Sequence, residues 1–415
     1  MPDYEWAVIG SGIAGISLAE ILTREGHSVV LIERNELLAG ETSRDFHEWL
    51  HTGALYTLVP DGLRTLRFML GAIDDLLEYY SSFEGMNLVP GFKGLTLDNE
   101  VSRPWFNENY IHFRYRLKNR RVTFPWLIGI ARSVQLVEKI HGHDWLRRRA
   151  GEVSHLTEGR VARILELLRE IALSREDYWN TKTTDLGMNS RNLLGDLLSL
   201  AIENGLELSV ENEVTEISQM ANNGGVAVRG TQHSFLVERA VLCNGAGVES
   251  FAPVEITKSF APLAVLENIS ESAESFVQLD YFPKNCVNLL SKGGGIGLAG
   301  GISLSSIDQC GEYLDWVVRN LKKQFPSASE VSRYIGTKAE ITFEGQPRNY
   351  QYHIVNIEPN VWATIPGKFT MAFSMAPEFY RRIYGRNAHK TFAPAKKERG
   401  IELLSNTRWQ DAVSG

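Results

Sequence analysis

The sequence predicts an α/β protein of two lobes, a Rossmann-type nucleotide-binding lobe and a mainly antiparallel α+β lobe. Three observations carry this expectation. An apolar run, Glu5–Ile9, leads straight into Gly10-Ser11-Gly12-Ile13-Ala14-Gly15. A helix-patterned stretch and a second apolar run, Ser28–Ile32, complete a βαβ unit of minimal length that ends on Glu33. The chain has 415 residues, more than one simple core organises, and residues 255–345 are the richest in strand patterns.

Each glycine of the loop has a physical task. Gly10 permits the tight turn after the strand, Gly12 lets the backbone approach a pyrophosphate, and Gly15 lets the helix pack close to the sheet. The helix is expected over Ile16–Arg24, with Ile16, Ala19 and Leu22 on one face and Gly26 at its stop. Its N-terminus favours phosphate charge. Glu33 stands 23 positions after Gly10, where an acid binds a ribose 2′-hydroxyl. An acid there repels a 2′-phosphate, which argues against NADP. The motif by itself leaves FAD and NAD both open.

Further along, helices are expected over residues 62–80, over the arginine-rich residues 126–175 and over Asn189–Asn204. Residues 111–124 alternate like a strand, and further strands fall at Leu208 and Val210, near Val226, at Ala240–Leu242 and at Val361–Ile365. Pro366-Gly367-Lys368-Phe369 reads as a turn, and Thr370–Tyr384 as helical despite Pro377. The cluster Gly293, Gly294, Gly295, Gly297, Gly300 and Gly301 lacks the lysine and helix of a phosphate loop and reads as a turn with a close-packed strand. Residues 386–415 are polar and predict a loosely attached tail.

Composition narrows the partners. A net charge of −7 argues against nucleic acid. Cys243, Cys286 and Cys310 are few, odd in number and far apart, so no disulfide framework or zinc site is expected, and a reducing, cytoplasmic setting follows. The N-terminus lacks a basic signal-peptide region, and no apolar run is long enough for a transmembrane helix. His141-Gly142-His143 has no acid or thiol partner in the sequence, and no metal is predicted.

The next segment separates FAD from NAD. Gly40-Glu41-Thr42-Ser43, followed by His51-Thr52-Gly53 and Tyr56, resembles the second flavin loop of the D-amino acid oxidase-like (DAO) flavoproteins, closest to glycerol-3-phosphate dehydrogenases and L-2-hydroxyglutarate oxidases. The helix ending at Gly205, the strand after it and Val214 resemble the family segment that closes over adenine. Ala240–Gly247, with Asn244, Gly245 and Ala246, resembles the strand and turn near the flavin, and Trp362–Pro377 the last flavin segment. The resemblance implies a discontinuous FAD lobe of the GR2 type over residues 1–82, 181–254 and 345–390. It implies a substrate lobe with a helical insertion over 83–180 and 255–344, and a tail over 391–415. It implies non-covalent FAD contacted by Gly10, Ser11, Gly12, Ile13, Ala14, Gly15, Glu33, Arg34, Thr42, Ser43, His51, Val214, Asn244, Gly245, Ala246, Gly367, Lys368, Phe369 and Thr370. Three features depart from the family pattern. Position 41 is Glu where a small residue is usual, the usual Gly-x-Arg-Pro order is replaced by Gly345-Gln346-Pro347-Arg348, and the Gly-Asp element of monooxygenases is missing.

The resemblance places four residues near the chemistry. His51 is expected either to take a proton from an alcohol or to hydrogen-bond the cofactor or backbone. Arg348 and Tyr350 stand where relatives bind anions. Lys368 lies in the last flavin turn, where a lysine helps oxygen react in some amine-oxidising relatives. Arg114, Arg116 and Lys118 share one strand face, expected either to meet solvent or to form an anion-facing wall of the active site, and the Arg147-Arg148-Arg149 run is expected to meet solvent. The leading expectation is two-electron oxidation of a CH–OH group in a small, anionic metabolite. Oxidation of a CH–NH group is the alternative, and a catalytically silent flavin-binding subunit is the third. The sequence leaves the electron acceptor open among oxygen, a quinone and a protein.

Overall fold

Strand Tyr4–Ile9 lies inside an eight-stranded sheet, and that central place explains its unbroken apolar character. The chain is described by a computed structural model covering residues 2–51, 56, 61, 64–91, 94–98, 101–106, 113–118, 178–182, 185–220, 224–281, 285–342 and 349–414. The sheet runs in the order Val214–Gln219, Val226–Gly230, Ser234–Leu242, Tyr4–Ile9, Val29–Ile32, Glu207–Ser209. Strand Val361–Ile365 pairs in parallel with Ser234–Leu242 and antiparallel with His353–Glu358. The central ladders are parallel. Along the first two strands Trp6, Val8, Val29 and Leu31 enter one core, and Ala7, Ile9, Val30 and Ile32 the opposite one. Both faces are covered, so the strands carry no polar alternation.

Six helices stand among the described residues: α1 (Ile13–Arg24), α2 (Arg64–Tyr79), α3 (Ser190–Glu203), α4 (Cys310–Gln324), α5 (Ala372–Tyr384) and α6 (Arg408–Ser414). Helix α1 starts three residues earlier than expected and is buried from Ile13 to Thr23, not on one face alone, because α3 and α5 flank it. Asn189 caps α3 by accepting from the Asn192 amide. A 3₁₀ turn, Phe369–Met371, leads into α5, which contains Pro377.

The second sheet has seven strands in the order Ser329–Ile341, Ile256–Glu267, Ile296–Gly300, Asn285–Gly293, Ser275–Tyr281, Phe113–Lys118, Tyr178–Lys182. Only the Ser275–Tyr281/Phe113–Lys118 ladder is parallel. The glycine cluster forms the hairpin between Asn285–Gly293 and Ile296–Gly300. Helix α4 covers this sheet through Leu314, Val317, Val318 and Leu321. Arg116 does not stand free in solvent. Its guanidinium lies over the Phe276 ring and hydrogen-bonds Gln324 of α4. Residues 126–175, including His141, His143 and Arg147–Arg149, lie outside the described residues.

The C-terminal segment is not a loose tail. Leu38 donates to the Leu403 carbonyl and accepts from the Ser405 amide, both at 2.9 Å, and Leu404 is buried. Gly400 sits so close to α3 that a Cβ there would meet the Gly195 carbonyl oxygen at 2.4 Å. The small Gly400 and the apolar Leu404 take part in this docking, and the polar composition around them hides it. No helix among the described residues is long and apolar enough to cross a membrane.

Candidate active site

Four backbone turns converge at the carboxyl ends of the parallel strands, where ligands of open α/β sheets bind. They are Ile9–Ala14, Ile32–Arg34, Cys243–Gly247 and Ile365–Phe369, and they open on one cavity of about 980 Å3. Lys258, Phe260 and residues 337–339 of the second sheet close its other side. Gly10 has φ +97°, and a Cβ there would lie 2.8 Å from Asn244 Cα. A Cβ on Gly15 would lie 1.8 Å from the Gly10 carbonyl oxygen. The turn therefore sits directly on α1, whose N-cap residue, Gly12, has no side chain to cap it. Ser43 Oγ accepts from the Ile13 amide at 2.9 Å and ties the segment after Gly40 to this helix end.

Glu33 is buried beside the glycine turn. Its carboxylate accepts from the Ser11 amide and hydroxyl at 3.1 and 2.6 Å, and from the Asn35 amide and side chain at 3.0 and 2.9 Å. Arg34 and Glu41 pair at 2.6 Å in the more exposed part of the cavity lining, so the unusual acid at position 41 has a local partner.

The opposite end is aromatic and cationic. The His51 ring packs against Trp49 with centroids 4.0 Å apart and meets the Tyr56 edge at 5.4 Å. Its amide donates to Thr370 Oγ1 at 3.1 Å. Burial, then the Lys368 charge, and then Lys338 and His47 hold the imidazole well below 6.5, so it is neutral. His51 Nδ1 is buried with no hydrogen-bond partner among the described residues. Lys368 Nζ stands 4.7 Å from the Tyr56 ring centroid and 4.9 Å from that of Tyr350. Cys243 also lines the cavity, but burial pushes its thiol up to about 12, so it stays protonated.

One buried hub holds the segment before His51. Glu48 accepts at one oxygen from the Ser190 amide and hydroxyl, at 2.8 and 2.7 Å. Its other oxygen takes Lys292 Nζ at 2.5 Å and Trp409 Nε1 at 2.8 Å. Both members of the Glu48–Lys292 pair are almost fully buried. Replacing Lys292 by Met strands a buried carboxylate and is expected to cost about 3–5 kcal/mol, read as a lower denaturant midpoint at unchanged slope.

Of the residues expected at the site, Gly10, Ser11, Gly12, Ile13, Ala14, Glu33, Arg34, Thr42, Ser43, His51, Val214, Asn244, Gly245, Ala246, Gly367, Lys368 and Phe369 line this cavity. Gly15 lies behind the turn, and Thr370 is fully buried behind His51. Tyr350 packs on Tyr56 with centroids 5.3 Å apart, without lining the cavity. Arg348 lies outside the described residues. The sequence reading missed Phe46–Trp49, Asn212, Lys258, Phe260 and Lys338. The extended pattern of residues 329–341 signals a strand, but nothing in it says which strand faces the nucleotide turn.

The residues fit FAD. A glycine turn at a helix N-terminus suits a pyrophosphate. Asn244 Oδ1, like His51 Nδ1, is buried without a hydrogen-bond partner among the described residues, and both residues line the cavity. A profile of the FAD-dependent oxidoreductases (DAO) matches residues 5–362. The chain belongs to the DAO family of FAD-dependent oxidoreductases. No curated protein sequence matches this DAO-family enzyme. Its fold is that of several solved structures. L-α-glycerophosphate oxidase from Mycoplasma pneumoniae with FAD bound is 16% identical, with TM-score 0.65, covering 95% of this chain and 98% of that one. Glycine oxidase from Geobacillus kaustophilus is 13% identical, with TM-score 0.62, covering 96% and 99%. L-amino acid deaminase from Proteus vulgaris is 12% identical, with TM-score 0.64, covering 97% of each chain.

Proposed function

We propose that the cavity holds FAD extended, with adenosine toward Glu33 and Val214, pyrophosphate at Gly12–Ala14 and the flavin ring toward Gly367–Phe369, and that the enzyme oxidises a CH–OH group of a small anionic metabolite. FAD, when bound, supplies the acceptor for two electrons. The observation that carries the reading is His51, a neutral cavity-lining imidazole whose buried Nδ1 has no hydrogen-bond partner among the described residues. A neutral imidazole accepts the hydroxyl proton that must leave as an alcohol is oxidised. Lys368 and Lys338 both line the cavity and both act electrostatically on His51. Two cations at one end attract a carboxylate or phosphate and oppose the ammonium of a protonated amine. Among the solved structures sharing the fold, the glycerophosphate oxidase acts on such an anionic alcohol by its name.

Anaerobic bleaching of the bound flavin tests this reading. Hydroxycarboxylates and hydroxyalkyl phosphates are expected to bleach it, and amino acids and simple amines are not. Bleaching by amines alone would sink the CH–OH assignment. A flavin that no compound reduces would favour the silent subunit. Lys368→Met removes one charge-assisted contact and is expected to raise KM for the anionic alcohol about 10–100-fold, with a smaller change in kcat, read by steady-state kinetics.

A further inference from the structure

Helix α6 makes three polar contacts with one short segment of the cavity wall. Arg44 pairs with Asp411, Asp45 accepts from Arg408 at 3.1 Å, and Glu48 accepts from Trp409 Nε1 at 2.8 Å. This segment is bounded by Ser43, which holds the start of α1, and by His51. Within it Glu48 has φ +58°, a left-handed conformation that residues with side chains rarely adopt. Its carboxylate is anchored by Ser190 of α3, by Lys292 of the second sheet and by Trp409 of α6. The Glu48 carbonyl accepts from the Met188 amide, and Trp49–Leu50 then pairs with Leu186–Gly187. The fixed turn at Glu48 thus sets where Trp49 and His51 enter the cavity.

We propose that α6 is part of the flavin site, with Trp409 a positioning residue that acts through Glu48 on the Ser43–His51 wall. The proposal rests on assigning the cavity to FAD and is independent of whether alcohol or amine is oxidised. Trp409 donates its indole N–H to the carboxylate oxygen that also takes Lys292, and the Lys292 ammonium stands 5.7 Å from the indole ring. The ring therefore packs against the ion pair while its N–H orients it.

Trp409→Phe deletes the N–H and keeps an aromatic ring. Its holoprotein is expected to bind FAD about 10-fold more weakly, the loss of one hydrogen bond to a charged acceptor. Its visible circular dichroism, which reports the flavin's surroundings, is expected to change. Removing residues 407–415 is expected to weaken FAD binding further and to change the same dichroic bands. FAD titration of both apoproteins by flavin fluorescence gives the dissociation constants. Wild-type FAD affinity and an unchanged visible spectrum in Trp409→Phe would overturn the proposal, even if the variant melts earlier. That outcome would make α6 a packing element alone and leave the CH–OH reading untouched.

Discussion

Gly15→Ala is expected to weaken FAD binding by roughly one to two orders of magnitude. The added Cβ would fall 1.8 Å from the Gly10 carbonyl oxygen, so the turn or the helix must move. The turn has no room, because Gly10 already lies against the Asn244 backbone at a φ of +97°. The helix has little more, since α1 is buried from Ile13 to Thr23 between α3, α5 and the sheet. Forced movement of this kind costs about 1–3 kcal/mol. The displaced atoms include the Gly12–Ala14 backbone at the cavity, so much of that cost appears in binding. Titrating the apoprotein with FAD measures it, and far-ultraviolet circular dichroism checks that the fold survives. Wild-type affinity in the variant would show that the nucleotide does not lie on this turn.

His51→Gln is expected to slow anaerobic flavin reduction by a CH–OH substrate about 10²–10⁴-fold, the usual contribution of a positioned base. Glutamine keeps a side chain able to hydrogen-bond but does not take the proton. The backbone contact to Thr370 is made by the His51 amide and survives the substitution. FAD affinity is therefore expected to change far less than the reduction rate. Stopped-flow bleaching at saturating substrate separates the two effects. An undiminished rate with FAD bound would leave the imidazole as a ligand of the cofactor or backbone.

The nucleotide half of the molecule is legible in the sequence because its signals are local. The strand, the glycine turn and Glu33 follow one another along a single βαβ unit, and Gly15 answers a steric demand inside it, while Gly10 and Gly12 stand against Asn244 and Ser43 from later in the chain. The second sheet is less legible. Helix α4 carries a readable stripe at Leu314, Val317, Val318 and Leu321, yet the surrounding strand patterns mask it. Lys338 and Lys258 reach the cavity only because Ser329–Ile341 pairs with Ile256–Glu267 over nearly its whole length, a register no short window contains. The Glu48 hub is harder still. It joins residues 48, 190, 292 and 409, and each looks ordinary in its own neighbourhood. The docking of α6 is hidden for the same reason, since its contacts are made across the chain.

The most direct measurement is the pH dependence of anaerobic flavin reduction by the best CH–OH substrate, in wild type and His51→Gln. Burial and the nearby lysines keep the folded-state imidazole protonating only well below 6.5. A base with a depressed value stays neutral as pH falls through 6.5 and is lost only at lower pH. The wild-type rate is thus expected to stay level from about pH 8 through 6.5, with His51→Gln slow throughout. A wild-type rate that breaks at the ordinary imidazole value, or a variant as fast as wild type, would contradict His51 as the neutral base of an alcohol oxidation.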